Sequence, residues 1–238
     1  MNIVPKTWAY GVTTVPQRRV TLLPRTLASL RAAGFDCPRL FVDGCDDPSS
    51  YSHFGLELTM RYPSLRAYGN WLMALLELYL RSPNADRFAV FQDDFVTYRN
   101  LRAYLDWCPY PGELNDRPKG YWNLYTFPEN QRLSDGKIGW FFSNQLGKGG
   151  VALVFNREAT VILLEHQHMI TRAQDVNRGW KALDGGVVDS MRKSGWKEYV
   201  HDPSLVQHTG MESTISRSRH ALAPSFRGEE FNAEEMIP

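Results

Sequence analysis

The chain has no uninterrupted apolar stretch near the roughly 20 residues a membrane-spanning helix needs, and its first residues hold no apolar core of a secretion signal. Cysteine is scarce. Cys37, Cys45 and Cys108 include no C-x-x-C pair, so neither a disulfide framework nor a zinc site is expected. Charge of one sign is also lacking: 27 basic against 26 acidic residues leave a formal net charge of +1. That balance gives no global field for nucleic acid or an anionic membrane, and any basic patch must be local. A cytoplasmic location without a membrane partner fits these absences. What is plentiful is core material. Hydrophobic residues make up 43% and aromatics 13% of 238 residues, enough for one substantial core.

Strand and helix patterns alternate along the chain. Residues 8–14 read as a first strand, followed by a turn carrying Arg18 and Arg19. Residues 26–33 read as a helix capped by Gly34, and residues 40–42 as a second strand closed by Asp43. Residues 45–63 look like a loop rich in Asp, Pro and Ser, and residues 64–81 like a strong amphipathic helix. A short helix is expected over 101–107, strands over 121–127 and 151–155, and helices over 157–169 and 184–193. The last 25 or so residues show little periodicity and read as a surface tail. This alternation predicts an α/β sandwich around a mostly parallel central sheet.

The most informative stretch is FAVFQDDF, residues 88–95. Four apolar residues in a row suit a strand buried on both faces. Two adjacent carboxylates at its end, Asp93 and Asp94, repel each other and pay for desolvation, which a divalent cation or cationic substrate relieves. Ligands in open α/β sheets bind beyond the carboxyl ends of strands, where this pair falls. A solvated turn or helix cap is the plainer role of such aspartates. His208, after the apolar pair Leu205 and Val206, is either a strand-end histidine or a ligand; an imidazole beside carboxylates suits manganese better than magnesium. Asp184 opens a helix and reads equally as its N-cap or as a general base. Gly147, Lys148, Gly149 and Gly150 are no P-loop, because Phe142 stands where the first glycine belongs and no Ser or Thr follows the lysine. These glycines instead permit close approach of backbone to a ligand.

Taken in order, these pieces resemble a GT-A glycosyltransferase. The first-strand loop of that family holds the nucleotide, which implies Thr13, Thr14, Val15 and Arg18. The acidic metal motif after a central strand is similar to Gln92, Asp93 and Asp94, with Gln92 in place of the first carboxylate. The resemblance therefore implies Asp94 as metal ligand and Asp93 turned to the ribose. The late histidine of PSLVQHTG is similar to the segment that completes the metal shell in N-acetylglucosaminyltransferase IV-like enzymes, which implies His208. The stretch LDGGVVDSMRKSG implies Asp184 as base, although Leu183 replaces the acid usual before it. Asp43, at the end of the second strand, is placed to receive the uracil or ribose, and Asn70 faces the same side from its helix. The implied activity is transfer from a UDP-sugar to a hydroxyl acceptor with Mn2+ or Mg2+ and inversion. The resemblance covers about residues 8–210, implying a catalytic domain over 1–210 and a tail over 211–238 packed on or near the active site.

The chain is also similar to small phage enzymes, the TET-associated group, that glucosylate 5-hydroxymethylpyrimidines in DNA. That likeness implies a 5-hydroxymethylcytosine acceptor and the host cytoplasm. Arg99, Arg102, Arg217, Arg219, His220 and Arg227 would then grip phosphates, and the run at Trp140 would receive an extruded base. A charge-balanced solvated surface and ordinary core packing are the plainer roles of the same residues. A glycan or protein glycosyltransferase, a metal-dependent nucleotidyltransferase or phosphohydrolase, and a binding module that only retains the fold are the competing functions. The sequence sets neither the donor sugar nor an oligomeric state.

Overall fold

A computed structural model describes residues 5–113, 117–174, 183–209 and 221–238. Eight strands form the central sheet. In chain order they are β1 (Trp8–Thr14), β2 (Arg39–Asp43), β3 (Leu58–Arg61), β4 (Arg87–Gln92), β6 (Gly120–Asn123), β7 (Gly139–Phe142), β8 (Ala152–Asn156) and β9 (Lys197–Asp202). Their spatial order is β3-β2-β1-β4-β8-β6-β9-β7. The first four are mutually parallel, β6 runs parallel to β9, and β8 and β7 run against their neighbours. The sheet is mostly parallel, as the alternating pattern predicts.

Helices cover both faces because the buried strands are apolar on both. Phe88 and Val90 of β4 pack in a layer with α2 (Arg66–Arg81), α5 (Arg157–Glu165) and α7 (Leu183–Lys193). Ala89 and Phe91 face the opposite layer, with α1 (Leu23–Ala32) and α3 (Leu101–Trp107). Each large side chain buried this way contributes about 1.5–3 kcal/mol. Register sets the site: Thr13 pairs with Gln92 and Thr14 with Val42, so Asp93 follows level with Thr14, and Asp43, the last residue of β2, lies level with Val15 at the same edge.

Several elements differ from expectation. The expected loop over 45–63 holds a 3-10 helix, Pro48–Phe54, and β3, whose four residues are all half-buried and so show no alternation. The expected helix over 157–169 divides at His166, which is extended and separates α5 from α6 (Gln167–Gln174). A small antiparallel sheet pairs β5 (Phe95–Thr97) with β10 (Val206–His208). Among the described part of the expected tail, residues 221–238 are docked: Ala223 and Ala233 are buried, and Phe226 stacks on Tyr98 at 4.8 Å. No helix among the described residues is long and apolar enough to cross a membrane.

Candidate active site

A cleft of about 250 Å³ opens at the carboxyl ends of β1, β2 and β4. Thr13, Thr14, Val15, Arg18, Asp43, Asn70, Asp93 and Asp94 all line it, so residues spread over 80 positions meet in one place. The sequence reading missed Ser64, Arg66 and Trp71 on the same wall. Arg66 carries a signal only backbone geometry reveals: a non-glycine residue at φ +61°, a left-handed conformation often kept where function needs it. Among the described residues its guanidinium makes no ion pair or hydrogen bond.

The centre is a buried ion triad. Arg18 Nη1 donates to Asp93 Oδ1 at 2.6 Å and to Asp94 Oδ2 at 2.9 Å. The hydroxyl of Thr14 donates to Asp93 Oδ2 at 2.6 Å. Burial pushes the Asp93 carboxyl above its usual range; Arg18 opposes this and neighbouring Asp94 reinforces it. Burial also disfavours the charged Arg18, but Asp94 and Asp93 together hold its guanidinium above the ordinary value. Arg19 turns away, lying 5.7 Å from the ring centre of Tyr51, so Arg18 alone of the turn's two cations reaches the doublet.

His208 arrives from the far end of the chain because β10 pairs with β5, setting His208 opposite Phe95. The amide of Thr209 donates to the carbonyl of Asp94 at 2.8 Å. His208 Nε2 then lies 3.7 Å from Asp94 Oδ2. The ring of Tyr125 meets His208 edge-on at 6.4 Å and donates its hydroxyl to the carbonyl of Ala221, tying the C-terminal segment to this histidine's neighbourhood.

Asp184 sits in the first turn of α7, yet its carboxylate caps another segment. Oδ2 accepts from the amides of Gly149 at 2.7 Å and Gly150 at 3.3 Å. The carbonyl of Gly150 accepts from Gln92 Nε2 at 3.0 Å, which links the glycine loop to the doublet's strand. Glycine is required here: Gly149 has φ +76°, and a Cβ would lie 2.2 Å from the Tyr125 ring. Asp184 Oδ1 makes no hydrogen bond among the described residues. Asp43 and Asn70 each bond to the wall itself. Asp43 accepts from the Ser64 hydroxyl at 2.5 Å and the Leu65 amide at 2.7 Å. Asn70 donates to the Phe41 carbonyl and accepts from Arg61 Nε, both at 3.0 Å.

The residues expected at a DNA acceptor do not gather here. Trp140 stacks on Trp122 at 4.6 Å on the edge strand β7, four strands from β4. Arg99 pairs with Glu230, Arg102 donates to the Gly34 carbonyl, and Arg227 lies over the Phe231 ring. Arg217, Arg219 and His220 lie outside the described residues, as does the expected domain boundary at 210.

No protein-family model and no curated protein matches the chain. Solved structures do. A crystal structure of GalNAc-T7 with UDP, GalNAc and Mn2+ superposes with a TM-score of 0.58 at 12% identity, over 87% of this chain and 44% of that one. The fold is GT-A-like. The chain thus spans less than half the length of the transferase it matches. A putative glucose-1-phosphate thymidylyltransferase from Bacillus anthracis, in complex with a sucrose, matches at a TM-score of 0.47 and 12% identity over 84% of this chain and 89% of that one.

Among the described residues no group of three or more His, Cys, Asp or Glu is disposed to hold a metal ion. Asp94 and His208 converge as a pair, one hard oxygen donor and one imidazole. That donor set fits an ion that takes its remaining ligands from a substrate and water.

Proposed function

We propose that the chain is a metal-dependent glycosyltransferase that moves a sugar from a UDP-sugar to a hydroxyl acceptor with inversion. The observation that carries this reading is the meeting of Arg18, Asp93, Asp94 and His208 at one end of the parallel strands. The donor's nucleotide lies along Thr13, Thr14 and Val15, against the wall that Asp43 and Asn70 hold in shape. Asp43 and Asn70 brace that wall and keep further lone pairs and an amide hydrogen for the uracil or ribose.

Asp94 and His208 would hold the divalent ion, with Mn2+ favoured over Mg2+ by the imidazole. When bound, that ion neutralises charge on the departing diphosphate. Arg18 and Arg66 supply charge-assisted contacts to the phosphates. Asp184 fixes the glycine loop through Oδ2 and offers Oδ1 as base. The acceptor hydroxyl oxygen bonds to the anomeric carbon, the bond from that carbon to the diphosphate oxygen breaks, and the hydroxyl proton passes to Asp184. UDP leaves with the electron pair.

Release of UDP from a panel of UDP-sugars, with and without Mn2+, tests the reaction class. Pyrophosphate release from a nucleoside triphosphate and a sugar phosphate would favour the nucleotidyltransferase. Nucleotide binding without turnover would favour a binding module. Hydroxymethylated DNA, glycans and peptides, each examined for an added hexose mass, sort the acceptors; the placement of Trp140, Arg99 and Arg102 favours a gain outside DNA.

A further inference from the structure

Arg18 bonds to both carboxylates of the doublet, and on Asp94 it takes the oxygen nearest His208. Asp94 Oδ2 receives Arg18 Nη1 at 2.9 Å and is also the atom 3.7 Å from His208 Nε2. An ion bound to a carboxylate oxygen sits at about 2.0–2.6 Å, inside that hydrogen bond, and like charges this close repel strongly when buried. Asp94 and Asp93 are each 2% exposed at the side chain, so little solvent screens the conflict. Arg18 has somewhere to go: its side chain is 14% exposed and lines the cleft, at the end of the short turn Pro16–Arg18. A diphosphate suits it better than a divided carboxylate pair, because guanidinium forks match phosphate oxygens two at a time. Asp93 keeps the Thr14 hydroxyl when Arg18 leaves.

We infer that Arg18 makes metal binding conditional on the donor: it is the counter-ion of Asp93 and Asp94 until the donor's diphosphate takes its guanidinium and frees Asp94 for the ion. The inference rests on the proposed metal-dependent reading and adds an order to it, with diphosphate and metal each raising the other's affinity. The diphosphate ligates the ion itself, so metal affinity that rises with UDP in the native chain is not the discriminating observation. The discriminating one is metal affinity without nucleotide once Arg18 is neutralised.

Free Mn2+ measured by electron paramagnetic resonance, on the full chain with and without UDP, reads this out. Arg18→Gln should bind Mn2+ at least about tenfold more tightly than the native chain in the absence of UDP, within the usual range of coupling between sites. It should also bind UDP more weakly, and Mn2+ should raise its melting temperature more than that of the native chain. Arg18→Lys, which keeps the charge but not the fork, should fall between and serves if the glutamine variant does not fold. Nucleotide-free Mn2+ affinity no tighter in the folded Arg18 variants than in the native chain, with UDP-dependent Mn2+ binding intact, would overturn the exchange and leave the metal-dependent reading standing. Absence of Mn2+ binding in every protein even with UDP would overturn both.

Discussion

The two halves of the central sheet use their polar residues in opposite ways. In β3, β2, β1 and β4, all parallel, the strands are apolar and the charged groups wait at their ends, where Asp43, Asp93 and Arg18 meet in the cleft. In the other half β8 and β7 are apolar as well, but β6 and β9 carry polar groups inside the sheet. Glu198 and His201 of β9 and Asn123 of β6 are buried. Glu198 Oε1 accepts from Tyr121 at 3.0 Å and Asn123 at 3.2 Å, while the backbone of Glu198 is bonded to the Gln145 side chain. Asn123 also donates to the carbonyl of Lys148. The first half builds a site where its strands stop. The second half braces the glycine loop, whose Gly150 carbonyl is bonded to Gln92 of the cleft wall.

Substitutions in the first half should therefore cost activity before stability, and those in the second half stability before activity. The largest expected effect is on the first side. Asp94→Ala should lower Mn2+-dependent UDP release at least about a hundredfold, since even outer partners of metal ligands cost 10- to 100-fold, while its urea midpoint stays near that of the native chain. A comparable loss of stability would blur the division. On the second side, Gly149→Ala forces a left-handed alanine into the Tyr125 ring. The left-handed conformation costs about 1–2 kcal/mol and overpacking about 1–3 more, which urea unfolding will read directly.

The same half offers a pair of opposite pH responses on one strand. Burial lowers the His201 imidazole from 6.5 to about 4, and its ring nitrogens are held by the Tyr104 hydroxyl and the Pro203 carbonyl, both at 2.7 Å. The unfolded chain binds a proton that the folded chain refuses, so stability should fall as pH drops from 6.5 toward 4, by roughly 3 kcal/mol from this group. Burial raises the Glu198 carboxyl instead. Its contribution is full below the ordinary glutamate value and is lost as pH rises through the raised one. Glu198→Gln should flatten that upper limb and leave the lower limb intact, the smallest effect of the set, visible in urea midpoints across pH.

The same contrast governs what could be read from the sequence. Parallel strands buried on both faces appear as apolar runs, so FAVF, its trailing doublet and the loop after β1 were legible, and the cleft gathers every residue assigned to the nucleotide. β9 was not, because Glu198, His201 and Asp202 disguise KEYVHD as a polar segment while all three are buried. β7 ends in Phe142, which is 45% exposed, and so resembles neither a core strand nor an amphipathic one. Asp184 read equally as the cap of its own helix or as a base, but its partners are amides 34 and 35 residues away, a distance no local pattern spans. The requirement for glycine at 149 was the available clue. That Asp43 and Asn70 also brace the wall depends on Ser64 and Arg61, and no local pattern shows those contacts.

The claim at the centre is that the doublet and His208 serve a donor-bound metal. Mn2+-dependent release of UDP, measured side by side for the native chain, Asp94→Ala and His208→Ala, tests it most directly. Release from at least one UDP-sugar is expected in the native chain, abolished by chelation and by either substitution. Equal release in chelator, or substituted proteins as active as the native one, would contradict it.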